Sequence, residues 1–509
     1  MSDVAVEVVE TSSLGDRSYL AHDGQVAVVV DPQRDIDRIL ALAGRLGVRI
    51  AYVAETHLHN DYVSGGLALV KLTGAGYLVA AADPVSFSRV PVNDGDRIAV
   101  SERMALSAVA TPGHTFHHLS YVLRGPGGPL GVFTGGSLLF GTTGRTDLLG
   151  ARHARPLALQ QHASVRRLAD LVPPGAQVWP THGFGSFCSA TQADATASTF
   201  GRERDVNPAL RLEADDFVAD TLAGLDAYPA YYAHVGVRNV DGADMIDLSP
   251  PRPAGAEELQ ERISAGEWVV DLRTRKAYAH RHLTGTLSFG LDGRMSTWLG
   301  WMAPRNGPII LLGETGEQVA QAQRELARIG IDRPAAATTG EPGEWAAGDQ
   351  SRLGQLPTAT FADLANAHSG AAGGAGVVDQ PGAAAAGVAG PSGVPHRLPH
   401  PDVVLDVRMS NEWRDGHLDG AVHLPLPDLP DRLDAVPPGA VWVHCSSGYR
   451  AAIAASLLQR AGRQVVNIDD AYATATDAGL TVVSGVHPAD PVREPPDTPA
   501  NSGPADHAR

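Results

Sequence analysis

The chain has 509 residues, 43% of them hydrophobic, with 57 acidic against 40 basic side chains and a formal net charge of −17. Length alone predicts roughly three domains at about 150 residues each, and the apolar share is enough to build their cores. The acidic balance excludes nonspecific binding to nucleic acid or anionic membranes, and two cysteines exclude a disulfide framework.

No basic segment followed by an apolar core opens the chain, and no apolar run approaches the roughly 20 residues of a membrane span. A reducing cytoplasm is therefore the expected compartment. Residues 1–240 read as one α/β unit. Gln25–Asp31 has the continuous apolar pattern of a buried strand, Asp35–Leu46 has helical spacing, and Arg49–Thr56 is a second strand. A smaller α/β pattern follows over 250–345: a helix at Ala256–Ser264, strands at Trp268–Leu272 and Pro308–Leu312, and a helix at Glu317–Ile329.

That pattern returns over 357–486. Phe361–Ala367 opens it as a helix, Val403–Asp406 and Ala440–His444 are strands, and Arg450–Ala461 is a helix. Val-Val-Asp-Leu-Arg at 269–273 matches Val-Leu-Asp-Val-Arg at 404–408, and His-Leu-Thr-Gly-Thr at 282–286 matches His-Leu-Asp-Gly-Ala at 417–421. Two matches at similar spacing predict an internal duplication. The second copy is interrupted over 369–400 by a Gly- and Ala-rich stretch that reads as a flexible insertion, and the tail 487–509 reads as disordered.

Three strand-to-turn transitions carry histidines: His57 and His59 in Thr56-His-Leu-His-Asn-Asp61, His114 in Thr111-Pro-Gly-His, and His182 in Pro180-Thr-His-Gly. Strand alternation would set His57 and His59 on one side. Imidazoles converging from rigid strand ends suit a metal site; polar loop histidines without a ligand role are the alternative. Near the C-terminus, Val441-Trp-Val-His-Cys-Ser-Ser-Gly-Tyr-Arg450 delivers Cys445 from a strand into a turn before a helix. Turn amides and the positive helix N-terminus favour a reactive thiolate there. A phosphatase loop would need five residues between Cys and Arg, and four intervene here.

The Cys445 loop resembles the active-site loop of a rhodanese. The resemblance implies that Cys445 carries sulfur as a persulfide, that the N–H groups of Ser446, Ser447, Gly448 and Tyr449 cradle its charge, and that Arg450 orients the loop or a substrate anion. No cofactor is implied for that domain. The first copy reads Ile309-Ile-Leu-Leu-Gly-Glu-Thr-Gly-Glu-Gln318, with neither cysteine nor arginine, and is expected to be a scaffold.

Residues 1–240 resemble the metallo-β-lactamase fold, and within it the persulfide dioxygenases, which hold one Fe(II) by two histidines and one aspartate. His57 and His114 match the two histidines. The aspartate of Phe-Thr-Gly-Asp is replaced in Phe133-Thr-Gly-Gly136, and Tyr62 stands where the superfamily usually has histidine. His57, His59 and His114 remain as a three-histidine set for Fe(II) or Zn(II), with Asp61 or a water on His182 as oxygen donor. Arg145 in Gly144-Arg-Thr-Asp147 matches a loop near the substrate, so it either pairs with a glutathione carboxylate or makes an internal ion pair. Cys188 is either an inert core thiol or a second persulfide acceptor.

The domain order resembles the three-domain persulfide dioxygenase–sulfurtransferases. The expected fold is therefore α/β, an αββα metallo-β-lactamase sandwich followed by two rhodanese-like domains. The implied function is oxidation of a small persulfide such as glutathione persulfide to sulfite, with Cys445 passing sulfane sulfur onward to give thiosulfate; a homo-oligomer is compatible with it. The alternatives are a rhodanese with a silent N-terminal domain, and a zinc thioester hydrolase of the glyoxalase II type.

Overall fold

The computed structural model describes residues 4–183, 185–190, 195–372 and 398–485. Most of the insertion expected at 369–400, and the tail expected from 487, lie outside the described residues. The chain falls into two compact units, Met1–Ser249 with Gln323–Arg333, and Pro250–Ala322 with Pro334–Pro491.

The first unit holds two six-stranded sheets. One runs in the order Ala5–Thr11, Asp16–His22, Val26–Val30, Arg49–Ala54, Gly76–Ala80, Val90–Val92, antiparallel at first and parallel from Val26–Val30 onward. The other runs Ser198–Thr199, Gln177–Pro180, Gly128–Gly135, Leu119–Gly125, Ala105–Ala110, Arg97–Ala99. Their inner faces share one core, in which Tyr19, Val28, Val30 and Leu78 pack with Leu106, Leu119, Tyr121 and Phe133. The outer faces are covered by the helices Asp37–Leu46 and Gly66–Thr73 on one side and Ala151–Leu171 on the other. This is the expected αββα sandwich. Val26–Val30 is apolar throughout because its parallel neighbourhood is covered on both faces. The helix after it stops at Gly47, whose φ of 67° closes the C-terminus in the left-handed region.

Strands of both sheets end on one edge of the sandwich, where backbone bonds join the sheets. Leu119 N–H donates to the Thr56 carbonyl at 2.7 Å, and Arg17 N–H to the Thr181 carbonyl at 2.8 Å. Every histidine singled out above lies on a loop leaving that edge.

The second unit holds two parallel sheets of matching order. Leu287–Ser288, Trp268–Asp271, Ile309–Gly313 and Ala336–Thr339 form the first. Val422–His423, Val403–Asp406, Val441–His444, Val465–Ile468 and Thr358–Ala359 form the second. The duplication extends to single contacts. Arg273 binds Asp271 and the Arg281 carbonyl, and Arg408 binds Asp406 and the Gly416 carbonyl, the ion pairs both at 2.7 Å. His282 stacks on Tyr278 and donates to its carbonyl at 2.9 Å; His417 does the same with Trp413 at 2.9 Å.

Candidate active sites

Cys445 follows the central strand Val441–His444 and is 1% exposed, just beneath the exposed Ser446 and Ser447. The turn closes at Gly448 (φ 87°), whose N–H donates to Sγ at 3.2 Å, and the helix Tyr449–Arg460 begins at the next residue. A side chain at residue 448 would overlap Asp469 Oδ1, so glycine is required there by conformation and by space. Arg450 lies within electrostatic reach of Cys445. It forks onto Glu412 at 2.6 and 2.7 Å and donates to Ser446 Oγ at 2.8 Å, which makes it a strut of the loop. Burial would raise the Glu412 carboxyl, but the Arg450 ion pair outweighs burial and holds it below the usual range.

The first copy builds part of this loop's surroundings. Tyr449 reaches out of the turn to donate to the Gly290 carbonyl at 2.8 Å. Arg275 Nε binds Asp469 Oδ1 at 2.7 Å, the carboxylate that packs against Gly448. Trp298 lies 5.7 Å from the Arg450 guanidinium. Sequence reasoning missed Arg275, Trp298 and Asp469, because no motif links them to Cys445.

In the first unit, the strand ends at Ala54, so His57 and His59 meet through a loop rather than by strand alternation; their ring centroids are 4.1 Å apart. His57, His114 and His182 are 2% exposed or less. Each has its Nδ1 held by an acceptor. The Thr56 hydroxyl donates to Asp31 at 2.7 Å and so accepts from His57 Nδ1 at 2.9 Å. His114 Nδ1 donates to the Arg145 carbonyl at 2.8 Å, and His182 Nδ1 to Asp16 at 2.9 Å, with Asp61 at 3.1 Å. These bonds leave each Nε2 without a proton of its own and free to bind a metal, as the acceptors behind metal-bound histidines do. His57 Nε2 and His182 Nε2 face each other at 3.2 Å, a separation that requires a proton or a cation between them.

His59 is turned the other way. Its Nε2 meets Tyr62 at 3.0 Å, Glu55 at 3.3 Å and Asp31 at 3.4 Å, while its buried Nδ1 is left without a partner. Burial opposes charge on His59, but Asp31 and Glu55 outweigh it and raise its pKa to about 9. Burial pushes His114 down to about 3. Asp61 Oδ1 is likewise buried and unpartnered. His118, also missed, accepts from the Gly136 N–H at 3.1 Å; the His114-x₃-His118 spacing was its only signal.

The carboxylate that the resemblance places at residue 136 is absent, and the His114 ring stands where a Gly136 side chain would go. The remaining donors still fit a metal ion. Those of His57, His59 and His182 lie within 4.8 Å of one another, as do those of His114, His182 and Cys188. Arg145 is buried in a two-pronged ion pair with Asp147 at 2.7 and 2.8 Å, and also holds the Phe187 and Asp226 carbonyls. Cys188 is 1% exposed, its thiol 3.8 Å from the Tyr232 hydroxyl, and burial pushes its pKa up. Both cysteines are free, and no helix among the described residues is long and apolar enough to cross a membrane.

The Rhodanese-like domain family matches residues 255–346 and 395–475. Over 210 residues the chain is 31% identical to the mitochondrial persulfide dioxygenase ETHE1 of Homo sapiens, covering 41% of this chain and 74% of that protein. It is 30% identical to a hydroxyacylglutathione hydrolase of Chromohalobacter salexigens over 36% of this chain and 78% of that one. A metallo-β-lactamase structure from Staphylococcus aureus superposes with a TM-score of 0.59 at 27% identity, covering 66% of this chain and 99% of that one. Together with the αββα sandwich and the duplicated parallel sheets, these likenesses establish that the chain belongs to the persulfide dioxygenase family, as a metallo-β-lactamase-fold domain fused to rhodanese-like domains.

Proposed function

We propose that the protein oxidises a low-molecular-weight persulfide in its first unit and transfers sulfane sulfur through Cys445 in its second. The observation that carries the transfer half is Cys445 at a strand end, with the Gly448 N–H on its sulfur and a helix N-terminus behind it. The Cys445 thiolate attacks the outer sulfur of RS–SH, the S–S bond breaks, RSH leaves with a proton, and Cys445–S–SH remains. Sulfite then attacks that outer sulfur, the Cys445 thiolate departs, and thiosulfate is released. Arg450, clamped by Glu412, holds the loop in register for both steps.

In the first unit, a divalent metal held by His57 and His114, with His182 or His59 beside them, would supply the means to bring O₂ to the persulfide. The balance is RSSH + O₂ + H₂O giving RSH, sulfite and two protons. The chain's own residues hold the imidazoles in their ligating tautomers through Thr56, the Arg145 carbonyl and Asp16. Glutathione is the thiol carrier we favour and iron the metal, both by family likeness.

The test is O₂ uptake and product analysis on Fe(II)-loaded protein given glutathione persulfide. Uptake with sulfite and thiosulfate is expected, and Cys445→Ser should remove thiosulfate while sparing O₂ uptake. Absence of uptake despite confirmed iron would favour the second reading, a sulfurtransferase with a catalytically silent N-terminal domain, for which Gly136 is the specific observation.

A further inference from the structure

We propose that Cys188 is a metal ligand, its thiolate taking the place of the carboxylate that Gly136 cannot supply. The inference rests on the reading of the first unit as metal-binding and names the donor set that completes it. Three facts converge. Residue 136 offers no side chain, and the His114 ring occupies that space. The donor atoms of His114, His182 and Cys188 lie within 4.8 Å of one another, all three residues buried. Across a tetrahedral ion with ordinary Zn–N and Zn–S bonds, neighbouring donors stand about 3.4–3.6 Å apart, so small side-chain rotations close the set.

The tautomers agree with this assignment. His114 and His182 both spend Nδ1–H on acceptors, the Arg145 carbonyl and the Asp16 carboxylate, which turns Nε2 toward the ion. His57 Nε2, 3.2 Å from His182 Nε2, stands at the spacing of an adjacent ligand. Backbone geometry places the sulfur: Arg145 N–H donates to the Cys188 carbonyl at 2.8 Å, which ties the cysteine to the loop that orients His114. Binding releases the thiol proton to solvent, because a coordinated thiol is deprotonated. A thiolate in place of a carboxylate makes the donor set softer while leaving it able to hold the divalent metal of the proposed reaction.

The test is cobalt substitution of the full-length Cys445→Ser protein, in which Cys188 is the sole thiol. Anaerobic Co(II) loading should produce a near-ultraviolet thiolate-to-cobalt charge-transfer band beside the visible d–d bands. Adding Cys188→Ser should abolish that band and weaken Co(II) binding at least about tenfold, the loss that even an outer-shell partner brings. Visible d–d bands without the charge-transfer band in the Cys445→Ser protein would overturn the ligand assignment and leave the metal-binding reading standing. Failure of that protein to bind Co(II) at all would overturn both. The single-thiol spectrum decides the matter even where the doubly substituted protein does not fold.

Discussion

Gly448 is the residue on which the geometry of the Cys445 loop turns. Its φ of 87° suits glycine, and Asp469 occupies the space a side chain would need. Gly448→Ala should therefore destabilise the second unit by about 2 kcal/mol or more, read as a lower denaturant midpoint, and slow persulfide formation on Cys445. Glu412 is the complementary case. Its carboxyl, held low against burial by Arg450, contributes stability that is present above the ordinary glutamate pKa of about 4.3. That contribution fades as pH falls through the depressed folded value. Glu412→Gln should cost about 1–2 kcal/mol at pH 7, discounted for its partial exposure, and nothing once the wild-type carboxyl is protonated. Chemical denaturation of both proteins from pH 7 down to pH 3 checks the convergence.

At the scale of elements, the first rhodanese copy does more than separate its neighbours. The helix Met295–Met302 through Trp298, the helix Arg275–His280 through Arg275, and the Gly290 carbonyl all meet the Cys445 loop or its support Asp469. Arg275 acts through Asp469 and is thus a positioning residue. Arg275→Ala should change global stability by less than about 1 kcal/mol, since the pair is a quarter exposed on the arginine side. It should nevertheless lower kcat for sulfur transfer several-fold, with Arg275→Lys restoring part of it. Equal loss of stability and activity would assign the pair a structural role alone. The first copy's corresponding loop carries no cysteine, and there Glu314 and Gln318 bond each other.

The molecule is built of two compact units, each with its own core, and the proposed function divides the chemistry between them. Metal bound in the first should stabilise that unit and no other. A site held at a thousandfold excess over its Kd contributes about 4 kcal/mol, or roughly 10 °C in a unit of this size. Calorimetry of chelator-treated protein should then show one transition lowered by that order and the other unmoved. Sulfur transfer through Cys445, assayed anaerobically, should survive the same treatment.

Much of this was legible as contiguous text. The apolar runs Val26–Val30 and Val441–His444 are strands because burial on both faces demands such runs, and the paired Asp-x-Arg signatures expose the duplication. The residues His57, His114, His182 and Cys445 were also named from motifs, since each sits where a strand ends. Sequence could not show which atom of each imidazole is free. That depends on Asp16, Asp31, Glu55 and the Arg145 carbonyl, which reach the cluster from separate strands and loops. Nor could it show Arg450 captured by Glu412, 38 residues away, or Cys188 beside His114. Strand identity follows from local patterning, whereas hydrogen-bond partners and donor sets are chosen by sheet order, which joins distant segments. Local patterning is enough to specify the elements, the repeat and the reactive residue types; which of their atoms face one another is set by the fold, because only folding brings distant loops together within each unit.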